Sequence, residues 1–227
     1  MLSLLAWSSA VAAPPLATYE AALPATAPRA PDSFLLKFNT DIEGDGTVTL
    51  NITRSWAPIG ADHLYALVAD KFYDGAAFFR VVPGFVVQFG IAGTPSENTK
   101  WSTPIKDDPV VQSNLKYTMS YATSGPNTRT TQLFINYVDN SRLDSMGFAP
   151  VGKVVAGSKY LDRVFDPTPG SSGGVDQQSY ETKGDTWIHE QYPEINFITT
   201  ATTTAQQGSL GTRRALQHAR EAQPVEV

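Results

Sequence analysis

The chain has 227 residues, a formal net charge of −5 and only 17% charged residues, with no basic block, which argues against nucleic acid as its primary partner. It contains no cysteine, so a disulfide framework, a Cys-ligated zinc and thiol catalysis are all excluded. A hydrophobic content of 41% can fill one sizeable core, which suits a single domain with tails.

Residues 1–13, apolar at Leu2–Trp7 and ending Val11-Ala12-Ala13, resemble a short secretory signal with a small-residue cleavage site, although no Lys or Arg precedes the apolar run. This predicts a secretory or extracytoplasmic location, with the cytoplasm as the alternative. The run is too short for a membrane span. Residues 14–32 are rich in Ala and Pro and read as a linker, so a domain over residues 33–204 is expected.

Phe34–Asn39 reads as a strand, Glu43–Gly46 as a hairpin turn and Thr47–Thr53 as the returning strand. Asn51-Ile52-Thr53 is a glycosylation sequon, which makes Asn51 a possible modification site. Pro58 opens a predicted helix to Ala69, with Leu64, Leu67 and Val68 facing inward. Strands follow at 77–82 and 85–89, joined at Pro83-Gly84. Residues 91–113 look irregular. Strands resume at 117–122, 132–136 and 151–155, the last after a loop over 140–150. Tyr160–Val164 should form one or two helical turns, 166–186 a surface loop, and Ile195–Thr203 a final strand. Residues 205–227 read as a tail, disordered or helical near 213–221. Many strands with two helical patches imply a mainly β fold, either a closed antiparallel barrel or a sandwich.

Arg80 is the unusual residue, a guanidinium inside the apolar run 78–89. On a regular strand it would share a face with Phe78 and Val82, and such a charge is costly unless something pairs with it. A second block, Gly125-Pro126-Asn127-Thr128 followed by Gln132 and Phe134, repeats the strand–turn–strand layout. His63, His189 and His218 lack ligand spacing, so no metal is expected. Asp107-Asp108 read as exposed turn residues rather than a calcium site.

The pattern Phe-x-Arg-x-x-Pro-Gly-Phe-x-x-Gln at 78–88, the 125–134 block, Leu143-Asp144 and Gly152-Lys153-Val154 together resemble the cyclophilin family of peptidyl-prolyl cis–trans isomerases over about residues 33–204. The resemblance implies an eight-stranded antiparallel closed barrel capped by two α-helices, with substrate on an outer face. It implies catalysis of rotation about X-Pro bonds in proline-containing polypeptides, assisting folding, with no cofactor and no covalent intermediate. Arg80 and Gln88 would be catalytic. Phe85, Phe134 and Leu143 would form a proline pocket, with Val86, Ala122, Thr123, Gln132 and Phe148 also contacting substrate. A monomer is expected. Arg142 stands where many relatives have tryptophan, Thr123 replaces a common asparagine, and Phe148 is the nearest match to a frequent histidine. The Arg142 change argues against tight cyclosporin binding. Two other readings are carried: a proline-peptide binding module or chaperone with little turnover, and a small-ligand barrel of the lipocalin kind, which needs an apolar interior cavity.

Overall fold

A computed structural model describes residues 29–205. The signal reading for 1–13, the linker up to residue 28 and the tail from 206 lie outside the described residues. Nine strands form one sheet, antiparallel throughout: β1 (Ser33–Thr40), β2 (Thr47–Thr53), β3 (Ala76–Ala77), β4 (Arg80–Val82), β5 (Val86–Phe89), β6 (Thr118–Tyr121), β7 (Leu133–Asn136), β8 (Pro150–Ala156) and β9 (Phe197–Ala205). Their order is β3-β9-β1-β2-β8-β6-β7-β5-β4. The two end strands, β3 and β4, are separated in the chain only by Phe78 and Phe79. From Ala77 to Arg80 the chain can span at most about 11 Å, so the sheet curls into a half-barrel that brings these two ends near each other. β3 pairs with β9 and β4 with β5, and no β3–β4 pairing closes the expected barrel among the described residues.

The count of nine against the expected eight has one cause. The predicted strand 77–82 is broken at Phe78-Phe79, and the break shifts the pleat. Phe78 and Val81 both pack in the barrel core, whereas Phe79 packs in a separate outer cluster. Arg80 therefore does not share a face with Phe78, contrary to the strand-alternation expectation. Alternation holds only within an unbroken ladder.

The barrel interior is filled. Phe34, Leu36, Phe38, Leu50, Phe78 and Phe89 are fully buried there, and Phe89 meets both Phe38 and Phe78 edge-on. A packed interior removes the small-ligand barrel reading.

Helix α1 (Pro58–Ala69) has the predicted bounds, with Leu64, Leu67 and Val68 buried. Its own residues supply no side-chain cap. Asp108 does so instead, accepting from the amides of Ile59 and Gly60 at 2.9 and 2.8 Å, where a carboxylate complements the helix dipole. Asp108 is thus buried, not an exposed turn residue. Asp62 of α1 grips Arg54 through two 2.8 Å bonds and accepts the Ala30 amide at 2.9 Å, so the end of the predicted linker is already packed on the domain. Asn51 lies on β2 between β1 and β8, half-buried, its side-chain oxygen accepting from Ser33 at 2.9 Å.

Two helices interrupt segments expected to be irregular. α2 (Pro95–Lys100) lies in 91–113, and α4 (Gln177–Gln191) replaces much of the predicted surface loop. Between them in the chain is α3 (Ser158–Leu161). α4 is capped by Asp176, which accepts from the Ser179 amide at 3.1 Å. Tyr180, Gly184 and Ile188 form its buried stripe. It kinks at Gly184 (φ 70°), whose missing side chain lets it sit on the Gly93 carbonyl: a Cβ there would lie 2.2 Å from that oxygen. No helix among the described residues is long and apolar enough to cross a membrane.

Candidate active site

The outer face of three paired strands builds the site. Arg80 of β4 stands directly opposite Gln88 of β5, and Gln88 opposite Phe134 of β7. Because side chains alternate, the neighbouring row Val81, Val87, Ile135 points into the core and leaves Arg80, Gln88 and Phe134 side by side outside. Val86, two residues from Gln88, joins them on that face.

The far wall comes from the 3₁₀ segment Ser141–Met146. Asp144 fixes it by accepting from the amide and Nδ2 of Asn114 at 2.9 and 2.8 Å and from Ser113 Oγ at 2.5 Å. Burial pushes the Asp144 carboxyl up, but those donors outweigh it and hold it below the ordinary carboxylate range. Asn140 anchors the start of the segment on Phe85 O and Asn136 Oδ1 at 3.0 and 2.8 Å. Leu143 is thereby pressed beside Val86 and Phe134, with Phe85, Ala122 and Phe148 around them. Phe134 and Phe148 meet edge-on at 5.6 Å.

The result is a cavity of about 260 Å³ lined by Arg80, Phe85, Val86, Gln88, Ala122, Thr123, Phe134, Leu143, Met146 and Phe148. Every residue expected at the site is there except Gln132. That residue lines an adjoining polar cavity of about 270 Å³ with Gln88, Ala122, Thr123, Ser124, Thr128, Thr130 and Gln177. Sequence reasoning missed Met146, although it is a flexible apolar side chain in the right loop, and missed Gln177, which lay in the supposed surface loop.

Arg80 is half-buried, and burial lowers its pKa from the ordinary guanidinium value. Its Nη1 donates to Gln88 Oε1 at 2.8 Å and its Nε to the Ser172 carbonyl at 2.5 Å. Among the described residues no carboxylate lies within ion-pair distance of it, and its Nη2 has no hydrogen-bond acceptor. The guanidinium sits 5.9 Å from the Phe85 ring, and Arg142 lies 4.7 Å from the same ring. Gln88 Nε2 in turn donates to Gln132 Oε1 at 2.7 Å.

The Gly125-Pro126-Asn127 turn is fixed by the threonines that flank it and by Asp107. Thr123 Oγ1 meets Thr128 Oγ1 at 2.8 Å, and Asp107 Oδ2 accepts the Asn127 amide at 2.7 Å. The Ala122 amide is committed to Gln132 O at 2.9 Å. The Ala122 carbonyl and the Thr123 amide have no partner among the described residues, so an extended chain can pair with them as a further strand.

A family model, cyclophilin type peptidyl-prolyl cis-trans isomerase, matches residues 35–186. The chain belongs to that family. It is 33% identical over 138 residues to a peptidyl-prolyl cis-trans isomerase of Acinetobacter baylyi, covering 58% of this chain and 73% of the relative. It is 34% identical over 125 residues to peptidyl-prolyl cis-trans isomerase A of Dickeya dadantii, covering 52% and 66%. The crystal structure of a Cryptosporidium parvum cyclophilin type isomerase superposes with a TM-score of 0.57 over 77% of this chain and 99% of that one, at 19% identity, a likeness of fold. The family assignment makes this chain a peptidyl-prolyl cis–trans isomerase and favours turnover over simple peptide binding.

Proposed function

We propose that the 260 Å³ notch holds the proline ring of a flexible polypeptide and that Arg80 catalyses rotation of the preceding peptide bond. The observation that carries this is a guanidinium held by a carbonyl and a neutral amide beside an apolar notch, with one terminal nitrogen uncommitted.

The rotation barrier, about 18–20 kcal/mol, arises from resonance between the amide nitrogen lone pair and the carbonyl. No bond is broken, so neither nucleophile nor cofactor is called for. At half rotation the prolyl nitrogen becomes pyramidal and its lone pair is released. A fixed cation with a directed N–H stabilises that state more than either planar one, which is what acceleration requires. A 10⁵-fold effect amounts to about 7 kcal/mol. Phe85, Val86, Phe134, Leu143 and Phe148 supply the walls that seat the ring. Gln88 keeps Arg80 in place, and the Ala122–Thr123 backbone supports the substrate's extended chain.

The groove is complete within one chain, which supports a monomer. Arg142 supports weak or absent cyclosporin binding. The apolar first residues support a secreted or extracytoplasmic location, for which the intact mass of the protein recovered from its source is the check: loss of about 1.3 kDa (thirteen residues at roughly 0.1 kDa each) marks cleavage near Ala13. The activity is tested by NMR exchange spectroscopy on an Ala-Pro peptide with a catalytic amount of protein. Exchange between cis and trans resonances is expected. Peptide binding without added exchange would leave only the binding module.

A further inference from the structure

The hydrogen bonds at Arg80 do not stop at Gln132. Gln132 Nε2 donates to the Glu181 carboxylate at 3.3 Å, so a chain of side chains runs Arg80 Nη1 to Gln88 Oε1, Gln88 Nε2 to Gln132 Oε1, and Gln132 Nε2 to Glu181 Oε1. Two carboxamides in series can point either way, because each carries a donor and an acceptor end. A cation at one end and an anion at the other make one direction favourable and the other doubly opposed. Reversed, Gln88 would turn its NH₂ toward a guanidinium that can only donate, and Gln132 would turn its oxygen toward a carboxylate that can only accept.

Glu181 lies in the first turns of α4, whose capped N-terminus, buried Tyr180 and kink on Gly93 hold it against the sheet. Asn98 Nδ2 also donates to the Glu181 backbone carbonyl at 3.3 Å. The chain just before α4 reaches Arg80 directly. Ser172 O accepts from its Nε, the Val175 amide donates to Phe79 O at 3.0 Å, and Gly174 lies so close that a Cβ there would be 2.6 Å from Arg80 Cβ. One segment, 172–181, thus grips both ends of the array.

We propose that Glu181 is a positioning residue of the isomerase: through Gln132 and Gln88 it sets the direction of the amide chain and so the orientation of the Arg80 guanidinium. This rests on Arg80 being the group that stabilises the twisted bond.

The experiment measures kcat/KM on a proline peptide, melting temperature, and the Gln side-chain ¹H–¹⁵N resonances for Glu181→Ala, Glu181→Gln and Glu181→Lys in the full chain, with Arg80→Ala alongside. Glu181→Ala should lose about fivefold in kcat/KM, the rate equivalent of one ordinary hydrogen bond. Glu181→Gln, whose side-chain oxygen still accepts, should stay within about twofold. Glu181→Lys, a donor where the chain needs an acceptor, should fall below Glu181→Ala and shift the Gln88 and Gln132 amide resonances. Added to Gln132→Ala, Glu181→Ala should cost nothing more. If Arg80→Ala loses rate while the Ala and Lys variants at 181 match wild type, the positioning role is overturned and the Arg80 reading stands. Equal losses in all three Glu181 variants in step with lowered melting temperature would mark a purely structural residue and overturn it too. An unaffected Arg80→Ala would overturn the Arg80 reading and this inference together.

Discussion

Two corners of this molecule each hold an arginine from the same pair of motif blocks, and they treat it in opposite ways. Arg129 is 3% exposed, with ion pairs of 3.2 Å to Asp107 and 3.0 Å to Asp108, and Asp108 also caps α1. Arg80 is half-buried, meets only a carbonyl and an amide, and keeps one nitrogen open to an apolar notch. A buried ion pair balances a charge, and at Arg129 it does so although Nε and Nη1 make no hydrogen bond. A cation left with neutral partners retains its field for whatever enters beside it. On the function proposed above, the first arginine serves the fold and the second the reaction.

Substitutions should separate the two corners. The largest stability effect is expected at Asp108→Ala, which strips Arg129 of its buried partner and α1 of its cap. Denaturant unfolding should show a loss of about 3–5 kcal/mol, with kcat/KM per folded molecule close to wild type. A large rate defect without a stability defect would blur the distinction.

Near the Arg129 corner, His63 donates from Nε2 to Thr130 O at 2.9 Å. Burial, with the Arg129 charge adding to it against the Thr130 bond, lowers its pKa from 6.5 to about 4. The unfolded chain takes up this proton below about pH 6.5 and the native protein only near pH 4. Its contribution is therefore fully present above pH 6.5 and lost as pH falls toward 4, by about 3 kcal/mol at most. His63→Gln, which keeps a donor and does not titrate, should flatten that part of the stability–pH curve. An unchanged curve would contradict the assignment.

The smallest effect is expected at Arg142→Ala. Removing one of the two guanidiniums on Phe85 should cost about 0.5–1 kcal/mol, seen as a modest rise in KM with kcat retained. A loss as large as that of Arg80→Ala would mean that the two cations share the chemistry.

Much of this was legible in the sequence where local rules and tertiary packing agree. The β1–β2 hairpin, α1 with Pro58 at its first position, and the motif residues around the notch fall where spacing and resemblance put them. Two of the misses depend on a partner far away in the chain, and a third on a local signal that was masked. The pleat shift at Phe78-Phe79 accompanies the docking of residues 174–175 on Phe79 and Arg80. Asp108 looks like a turn residue until α1 is placed beside it. α4 was hidden by the Ser-Ser-Gly-Gly run before it, although its Asp176 cap and the Tyr180, Gly184, Ile188 stripe at four-residue spacing were readable. Overlooking it concealed Glu181 and Gln177, and with them the polar half of the site.

The central claim concerns the partners that Arg80 lacks, and the most direct test is the isomerisation rate of Arg80→Ala beside wild type at matched melting temperature. A fall in kcat/KM of about 10²–10³, the scale for removing one preorganised transition-state donor, is what this structure predicts. A variant as fast as wild type would contradict it.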